Sequence, residues 1–162
     1  MPDIEAFMGL AQLGLGVAGF SGIALALATR EQEFVRSDRA LVRFLILHSL
    51  GTAGLAVLPV VGALLDAPAD TIWRVSSAIH FTSALLVAWP VFGPQAFLSP
   101  PLFLWAMRLN LVVCVVLQFL NMTGWVFGPS GGVYFLAVFL ILPGTAFAFG
   151  RLLFEFIRRR AA

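Results

Sequence analysis

Lysine is absent from this chain of 162 residues, and charged side chains of both signs together make up only 11% of it. Soluble domains carry roughly 25% charged residues, so the chain has less than half of the usual charge. Hydrophobic residues make up 60% of the chain, and its mean hydropathy is +0.98. Because a soluble core of this length cannot hide so much apolar surface, the composition predicts a membrane protein.

Cysteine is nearly absent as well, and the single residue, Cys114, excludes a disulfide framework within one chain. The N-terminal segment MPDIEAF contains Asp3 and Glu5 but no basic residue. It therefore lacks the positively charged region of a secretory signal peptide, and we expect the first apolar segment to remain as a membrane span. The formal net charge is only +2, and nucleic acid is not among the expected partners.

Long uncharged stretches predict the membrane spans. One span needs ~20 mostly apolar residues, so the stretch between Arg108 and Arg151 is too long for a single crossing. The Gly- and Pro-rich segment 128–132 predicts a break within it, and the prolines in 94–101 predict an earlier turn. The predicted helices are 5–28, 41–65, 72–92, 102–127 and 132–157.

The arginines predict the orientation. They are concentrated at 30–43 and at 151–160, and the positive-inside rule places both segments in the cytoplasm. The predicted fold class is therefore an all-α, polytopic membrane protein with five transmembrane helices, the N-terminus out and the C-terminus in. Aromatic residues near the predicted boundaries agree with interfacial positions, namely Trp73, Trp89, Trp105, Trp125 and Tyr134.

The segment GLGVAG at 14–19 has the glycine spacing of a dinucleotide-binding turn, which requires a strand before it and a helix after it. Here it lies in the middle of a span, so its small residues predict close helix packing instead. Three of the glycines share one helix face with the polar Gln12. The predicted packing residues are Gly9, Gly14, Gly16, Ala18, Gly19 and Gly22.

A polar stripe is predicted along the fourth helix, where Asn110, Cys114, Gln118 and Asn121 recur at helical spacing. Polar groups at membrane depth usually face the interior of a bundle. The stripe has two interpretations: it forms the wall of a solvated path or polar site, or it makes hydrogen bonds between helices.

Two histidines lie within predicted spans, and each has two interpretations. His80, beside Ser76, Ser77 and Ser83, and His48, beside Thr52, could relay protons, sense pH or bind a metal, or could be structural and hydrogen-bonded. A shared metal site is not expected, because zinc needs three or four ligands and no further ligand lies at that depth. The hinge or kink candidates are Pro59, Pro143 and Gly144.

The segment AGFSGIALAL, followed by a short charged loop and a second span that reaches Leu58-Pro59, resembles small bacterial inner-membrane proteins of unassigned function. The resemblance covers mainly residues 10–60. It implies no reaction, ligand or catalytic residue.

These features lead to two functional hypotheses. The first is a homo-oligomeric channel or small transporter of the bacterial inner membrane, with a path lined by Gln12, His48, His80, Asn110, Gln118 and Asn121. The alternative is a non-catalytic assembly or accessory subunit of a membrane complex. We expect no enzymatic activity, catalytic residue, cofactor or metal. The expected partners are the bilayer, another copy or a membrane subunit, and anionic lipid at Arg158, Arg159 and Arg160.

Overall fold

The computed structural model describes residues 4–30, 36–92, 101–126 and 128–160. These ranges contain helices joined by turns and no strand, which confirms the all-α prediction. The helices are α1 (Ile4–Arg30), α2 (Arg36–Leu64), α3 (Ala69–Phe92), α4 (Pro101–Thr123), α5 (Gly131–Phe139) and α6 (Ile141–Arg160). Only Leu140 separates α5 from α6, and its backbone is right-handed helical, so the two run as one interrupted helix.

Within the described ranges, four stretches of helix are long and apolar enough to cross a membrane, which identifies a multi-pass membrane protein. They are Ile4–Ile23, Phe44–Leu64, Leu104–Thr123 and Gly131–Arg151. Large apolar side chains point outward from these helices, as Leu47 does at 70% exposure and Phe20 at 67%. Such a surface suits lipid, because in water it would be a large exposed apolar patch.

The third helix, α3, buries polar side chains in the bundle. α3 is not among the four stretches found in the described part of the chain, and it begins with the charged residues Asp70 and Arg74. It then buries Ser76, Ser77 and His80. α3 therefore supplies polar groups to the interior of the bundle.

α1 packs closely against α2 at Gly14. A Cβ added to Gly14 would lie 2.7 Å from the carbonyl oxygen of Ser49 and 3.1 Å from the amide nitrogen of Ala53. Both are backbone atoms, which cannot rotate away as the end of a side chain can. Glycine at this position is therefore what allows the two helices to approach so closely.

Aromatic rings fill the core near the first turns of α1, α3 and α5. Phe7 stacks on Trp73 with 5.9 Å between ring centroids and meets Phe135 edge-on at 5.4 Å. Trp73 and Tyr134 are 6% and 0% exposed, so these two aromatics are part of the core of the bundle. Gly131, the first residue of α5, lies directly against the Trp73 ring.

A second, smaller apolar cluster lies where α6 packs on α2. It contains Val42 and Leu45 from the first half of α2 and Ala148 from α6. Tyr134 and Val138 of α5 and the first two residues of α6, Ile141 and Leu142, pack in the aromatic core, whereas Ala148 further along α6 belongs to the smaller cluster.

The turn between α4 and α5 coincides with the predicted break, although α4 ends at Thr123 rather than at residue 127. The chain leaves the helix at Gly124, whose φ of +69° is a left-handed conformation that suits glycine. Arg74 Nη1 donates hydrogen bonds to the carbonyl oxygens of Met122 at 2.9 Å and Thr123 at 3.2 Å. This contact satisfies carbonyl groups that the end of a helix leaves without partners.

Candidate functional site

The polar stripe of α4 faces other helices of the same chain. We call Asn110, Cys114, Gln118 and Asn121 the polar seam; Asn110 is half-buried, and the other three are buried. The periodicity of 3.6 residues per turn brings all four to one side of α4, as the sequence predicts. Each of the four makes at least one hydrogen bond to a residue outside α4.

Asn121 joins three elements. Its Nδ2 donates to Ser77 Oγ on α3 at 2.8 Å, and its Oδ1 accepts from the backbone N–H of Ser130 at 2.7 Å. Ser130 is in turn the N-cap of α5, where its Oγ accepts from the N–H of Val133 at 3.3 Å. Asn121 therefore fixes the start of α5 against α3 and α4.

Gln118 and His80 form the centre of the seam. Gln118 Nε2 lies 2.8 Å from His80 Nδ1, and both side chains are buried. An amide nitrogen can only donate, so His80 Nδ1 accepts and the proton of a neutral ring is on Nε2. The ring of His80 also meets the ring of Tyr134 edge-on, with 6.1 Å between centroids.

The other end of the seam contacts the backbone of the interrupted helix. Asn110 Nδ2 donates to the carbonyl oxygen of Leu140 at 2.9 Å, and Cys114 Sγ donates to that of Ala137 at 3.4 Å. Pro143 has no N–H to donate to Phe139, four residues earlier, so the backbone bonding of the helix is weakened here. Asn110 on α4 thus supplies a hydrogen bond to the backbone where the helix is interrupted.

His48 lies apart from this seam. Its Nδ1 is 3.0 Å from the carbonyl oxygen of Phe44 on its own helix, and its ring is tilted by 31° against that of Phe44, with 3.7 Å between centroids. Thr52 Oγ1 donates to the carbonyl of His48 at 2.8 Å. His48 and His80 each have a separate partner, and the described residues contain no group of three His, Cys, Asp or Glu side chains that could hold a metal ion.

The two histidines are expected to have opposite tautomers. A carbonyl can only accept, so the proton of a neutral His48 ring is on Nδ1, whereas that of His80 is on Nε2. Because the chain has only two histidines, ¹⁵N spectra of histidine-labelled protein should resolve one tautomer of each kind. Two histidines of the same tautomer would contradict the orientation of the Gln118 amide.

Tyr134 is a structural residue that the sequence analysis misses. Its hydroxyl donates to the carbonyl oxygen of Leu55 at 2.7 Å. Pro59 lies four residues after Leu55 inside α2 and has no N–H to bond that carbonyl. The signal was present in the sequence, because a proline within a span always leaves such a carbonyl in need of a donor.

Removing the hydroxyl in Tyr134→Phe is therefore expected to destabilise the protein by about 1–3 kcal/mol, because the buried carbonyl loses its donor. In a Pro59→Ala background the helix regains its own N–H donor at residue 59, so the same change should have a smaller effect. Thermal unfolding of the four proteins in one detergent measures the difference. An equal loss in both backgrounds would show that the hydroxyl and Pro59 are not coupled.

The glycines of α1 divide between two faces. Gly14 is buried against α2, next to the half-buried Ala18. Gly9, Gly16, Gly19 and Gly22 have no atom of the described chain within 4 Å of an added Cβ. Gln12 is exposed on the same side as Gly9, Gly16 and Gly19, and its side chain makes no hydrogen bond to any described residue.

The proposed path residues are thus not brought together. His80, Gln118 and Asn121 meet between α3, α4 and α5, whereas Gln12 faces outward and His48 bonds within α2. Among the hinge candidates, Pro59 is buried within a continuous α2, and Pro143 is exposed beside the half-buried Gly144. The arrangement can hold helices together, because its hydrogen bonds join α4 to α3 and to the interrupted helix.

Comparison with protein-family models, with curated proteins and with solved structures found no significant match to this chain.

Proposed function

We propose that the protein is a non-catalytic assembly subunit of the membrane, which associates through the outward side of α1. We call Gly9, Gln12, Gly16 and Gly19 the glycine face. The observation that carries the proposal is Gln12, an exposed amide at membrane depth without a partner in the described chain. A polar side chain that faces lipid is costly, and the flanking glycines leave room for another helix to cover it.

A second copy of the chain is the partner that fits this face best. A carboxamide has both a donor and an acceptor, so two Gln12 side chains related by a twofold axis can exchange hydrogen bonds. Copies inserted with the same orientation place these two side chains at equal depth. Gly16, one turn along, would let the two α1 backbones approach each other.

The channel or small-transporter hypothesis receives less support. The polar groups of the seam are bonded within one chain, and these bonds would have to break to form a path along α4. A channel that leaves the hydrogen bonds of the seam intact would have its path between copies, next to Gln12. Flux measurements distinguish that form from a sealed assembly.

We further propose five spans, with α3 as the third, in the bacterial inner membrane. The exposed acidic residues Glu5, Asp66 and Asp70 would then face outward, and the basic C-terminal turn would meet anionic lipid of the inner leaflet. In a Cys114→Ala background, an impermeant maleimide should label Asp66→Cys in intact cells and Arg158→Cys only after permeabilisation. The reverse pattern would contradict this orientation.

The association is tested with two matched glycine variants. Gly16 and Gly51 are both exposed helical glycines with no atom near an added Cβ, but only Gly16 lies on the glycine face. We expect native mass spectrometry in detergent to find dimers of the wild type and of Gly51→Leu and monomers of Gly16→Leu. Gln12→Leu should weaken association by about 1 kcal/mol, or roughly fivefold.

Two results would contradict the proposal. One is a monomeric wild-type protein at every concentration tested, and the other is an equal effect of both glycine variants. Proteoliposomes of the wild type should show no ion flux above that of empty vesicles, whereas flux that Gln12→Leu abolishes would support the channel between copies.

A further inference from the structure

The glycine face is the middle of a longer row of residues on α1. Steps of four and three residues alternate along this row, which is the spacing of the a and d positions of a coiled coil. Such a spacing keeps one line of side chains in contact between two helices. All members of the row are exposed except Gly9, which is half-buried. We call them the α1 row: Glu5, Gly9, Gln12, Gly16, Gly19 and Ile23.

Glu5, at the start of the α1 row, is directed away from the bundle. With 3.6 residues per turn, it lies within about 20° of both Gln12 and Gly16 around the helix axis. Phe7 lies on the opposite side of α1, where it is 3% exposed and stacks on Trp73 of α3. The carboxyl group of Glu5 is therefore on the side of α1 that the proposed second copy covers.

We propose that Glu5 makes the association of two copies depend on pH, so that acid favours the dimer; this regulation rests on the proposed contact through the glycine face. Copies related by a twofold axis and inserted with the same orientation place their α1 helices parallel to each other. Each residue of the α1 row then meets its own counterpart in the second copy. The two Glu5 carboxyl groups meet in this way at the outer end of the contact.

The repulsion between two ionised Glu5 side chains opposes the dimer. The apolar span of α1 starts at Ile4, so the two carboxylates have apolar surroundings on one side, where repulsion is stronger than in bulk water. Protonation of one carboxyl removes the repulsion and supplies an O–H that can donate to the other. The dimer therefore binds protons more tightly than the monomer does, and by linkage a fall in pH favours the dimer.

The other charged groups at this end of the molecule do not lie on the α1 row. Asp66 follows α2, Asp70 and Arg74 belong to α3, and all three are exposed. Arg74 donates to the carbonyl groups at the end of α4. On α5, the hydroxyl of Tyr134 is bonded to the carbonyl of Leu55. Because these groups stay within their own copy, Glu5 is the acid whose surroundings change when two copies associate.

Sedimentation equilibrium in an uncharged detergent tests the proposal, with a chelator present so that no divalent cation bridges the carboxylates. The dissociation constant of the dimer is measured at about pH 8, where glutamate is ionised, and at about pH 4, where much of it is protonated. Glu5→Gln removes the charge from the α1 row. Asp66→Asn is the matched control, because it removes an exposed acid at the same end, and its φ of +53° suits asparagine as well.

We expect the wild-type dimer to dissociate roughly tenfold less readily at the acid pH than at the alkaline pH. Asp66→Asn should keep this dependence, whereas Glu5→Gln should associate as tightly at both pH values as the wild type does in acid. A wild-type dimer of equal strength at both pH values overturns the regulation alone, as does a pH dependence that survives Glu5→Gln or is lost in Asp66→Asn. A wild type that is monomeric at both pH values contradicts the association itself, so the two failures are distinguishable.

Discussion

Gly14→Ala is expected to lower the stability of the protein by about 1–3 kcal/mol, the usual range for overpacking a close contact. The new methyl carbon would lie 2.7 Å from the carbonyl oxygen of Ser49 and 3.1 Å from the amide nitrogen of Ala53. Neither backbone atom can move without shifting α2. The larger Gly14→Leu should separate α1 from α2 and prevent recovery of folded protein.

Gly51→Ala is the matched control for this change. Gly51 lies on α2, is exposed and has no atom within 4 Å of an added Cβ. Alanine there should leave stability unchanged or raise it by up to about 1 kcal/mol, because alanine favours helix more than glycine does. The midpoint of thermal unfolding, followed in one detergent by tryptophan fluorescence, compares the variants. Equal midpoints for Gly14→Ala and Gly51→Ala would contradict the close contact.

The second large loss of stability is expected when Asn121 is replaced. Asn121→Leu removes the hydrogen bonds to Ser77 and to the N–H of Ser130, and it leaves both groups without that partner beside a new apolar side chain. Since each buried group left unsatisfied costs about 1–3 kcal/mol, the two groups together give an expected loss of about 2–6 kcal/mol. The loss should include fraying of the first turn of α5, which Ser130 caps.

Asn110→Leu makes the same chemical change on the same helix and provides the control. Asn110 is only half-buried and makes one hydrogen bond, to the carbonyl of Leu140. Its loss should therefore cost about 1 kcal/mol. Thermal unfolding of both variants gives the comparison, and hydrogen exchange of the amides around Val133 reports on the start of α5. If Asn110→Leu lowers the stability as much as Asn121→Leu does, the contact of Asn121 with Ser77 and Ser130 is not the cause of the loss.

The helices and the inward side of α4 could be predicted from the sequence for clear physical reasons. Charged residues and glycine–proline segments mark where an apolar helix must end, and the chain turns between α4 and α5 at such a segment. The spacing of Asn110, Cys114, Gln118 and Asn121 is one helical face, so their common direction follows from helix geometry alone.

The partners of these residues could not be predicted in the same way. Helix periodicity says that Gln118 points inward, but not that α3 brings His80 to its amide. On α1 both sides are rich in small residues, so the pattern does not tell whether Gly14 or Gly16 meets α2. The contacts with Ser49 and Ala53 show that Gly14 is the glycine that meets α2. Gln12 and Gly16 therefore lie on the outer side of α1.

Disulfide cross-linking in native membranes tests the central claim, association through the glycine face, most directly. The background is Cys114→Ala, which removes the only natural cysteine. After mild oxidation, Gly16→Cys should form a covalent dimer in high yield, whereas Gly51→Cys, at a position on α2 that is also exposed, should remain a monomer. If Gly16→Cys stays monomeric, or if both positions cross-link equally, the glycine face is not the contact between copies.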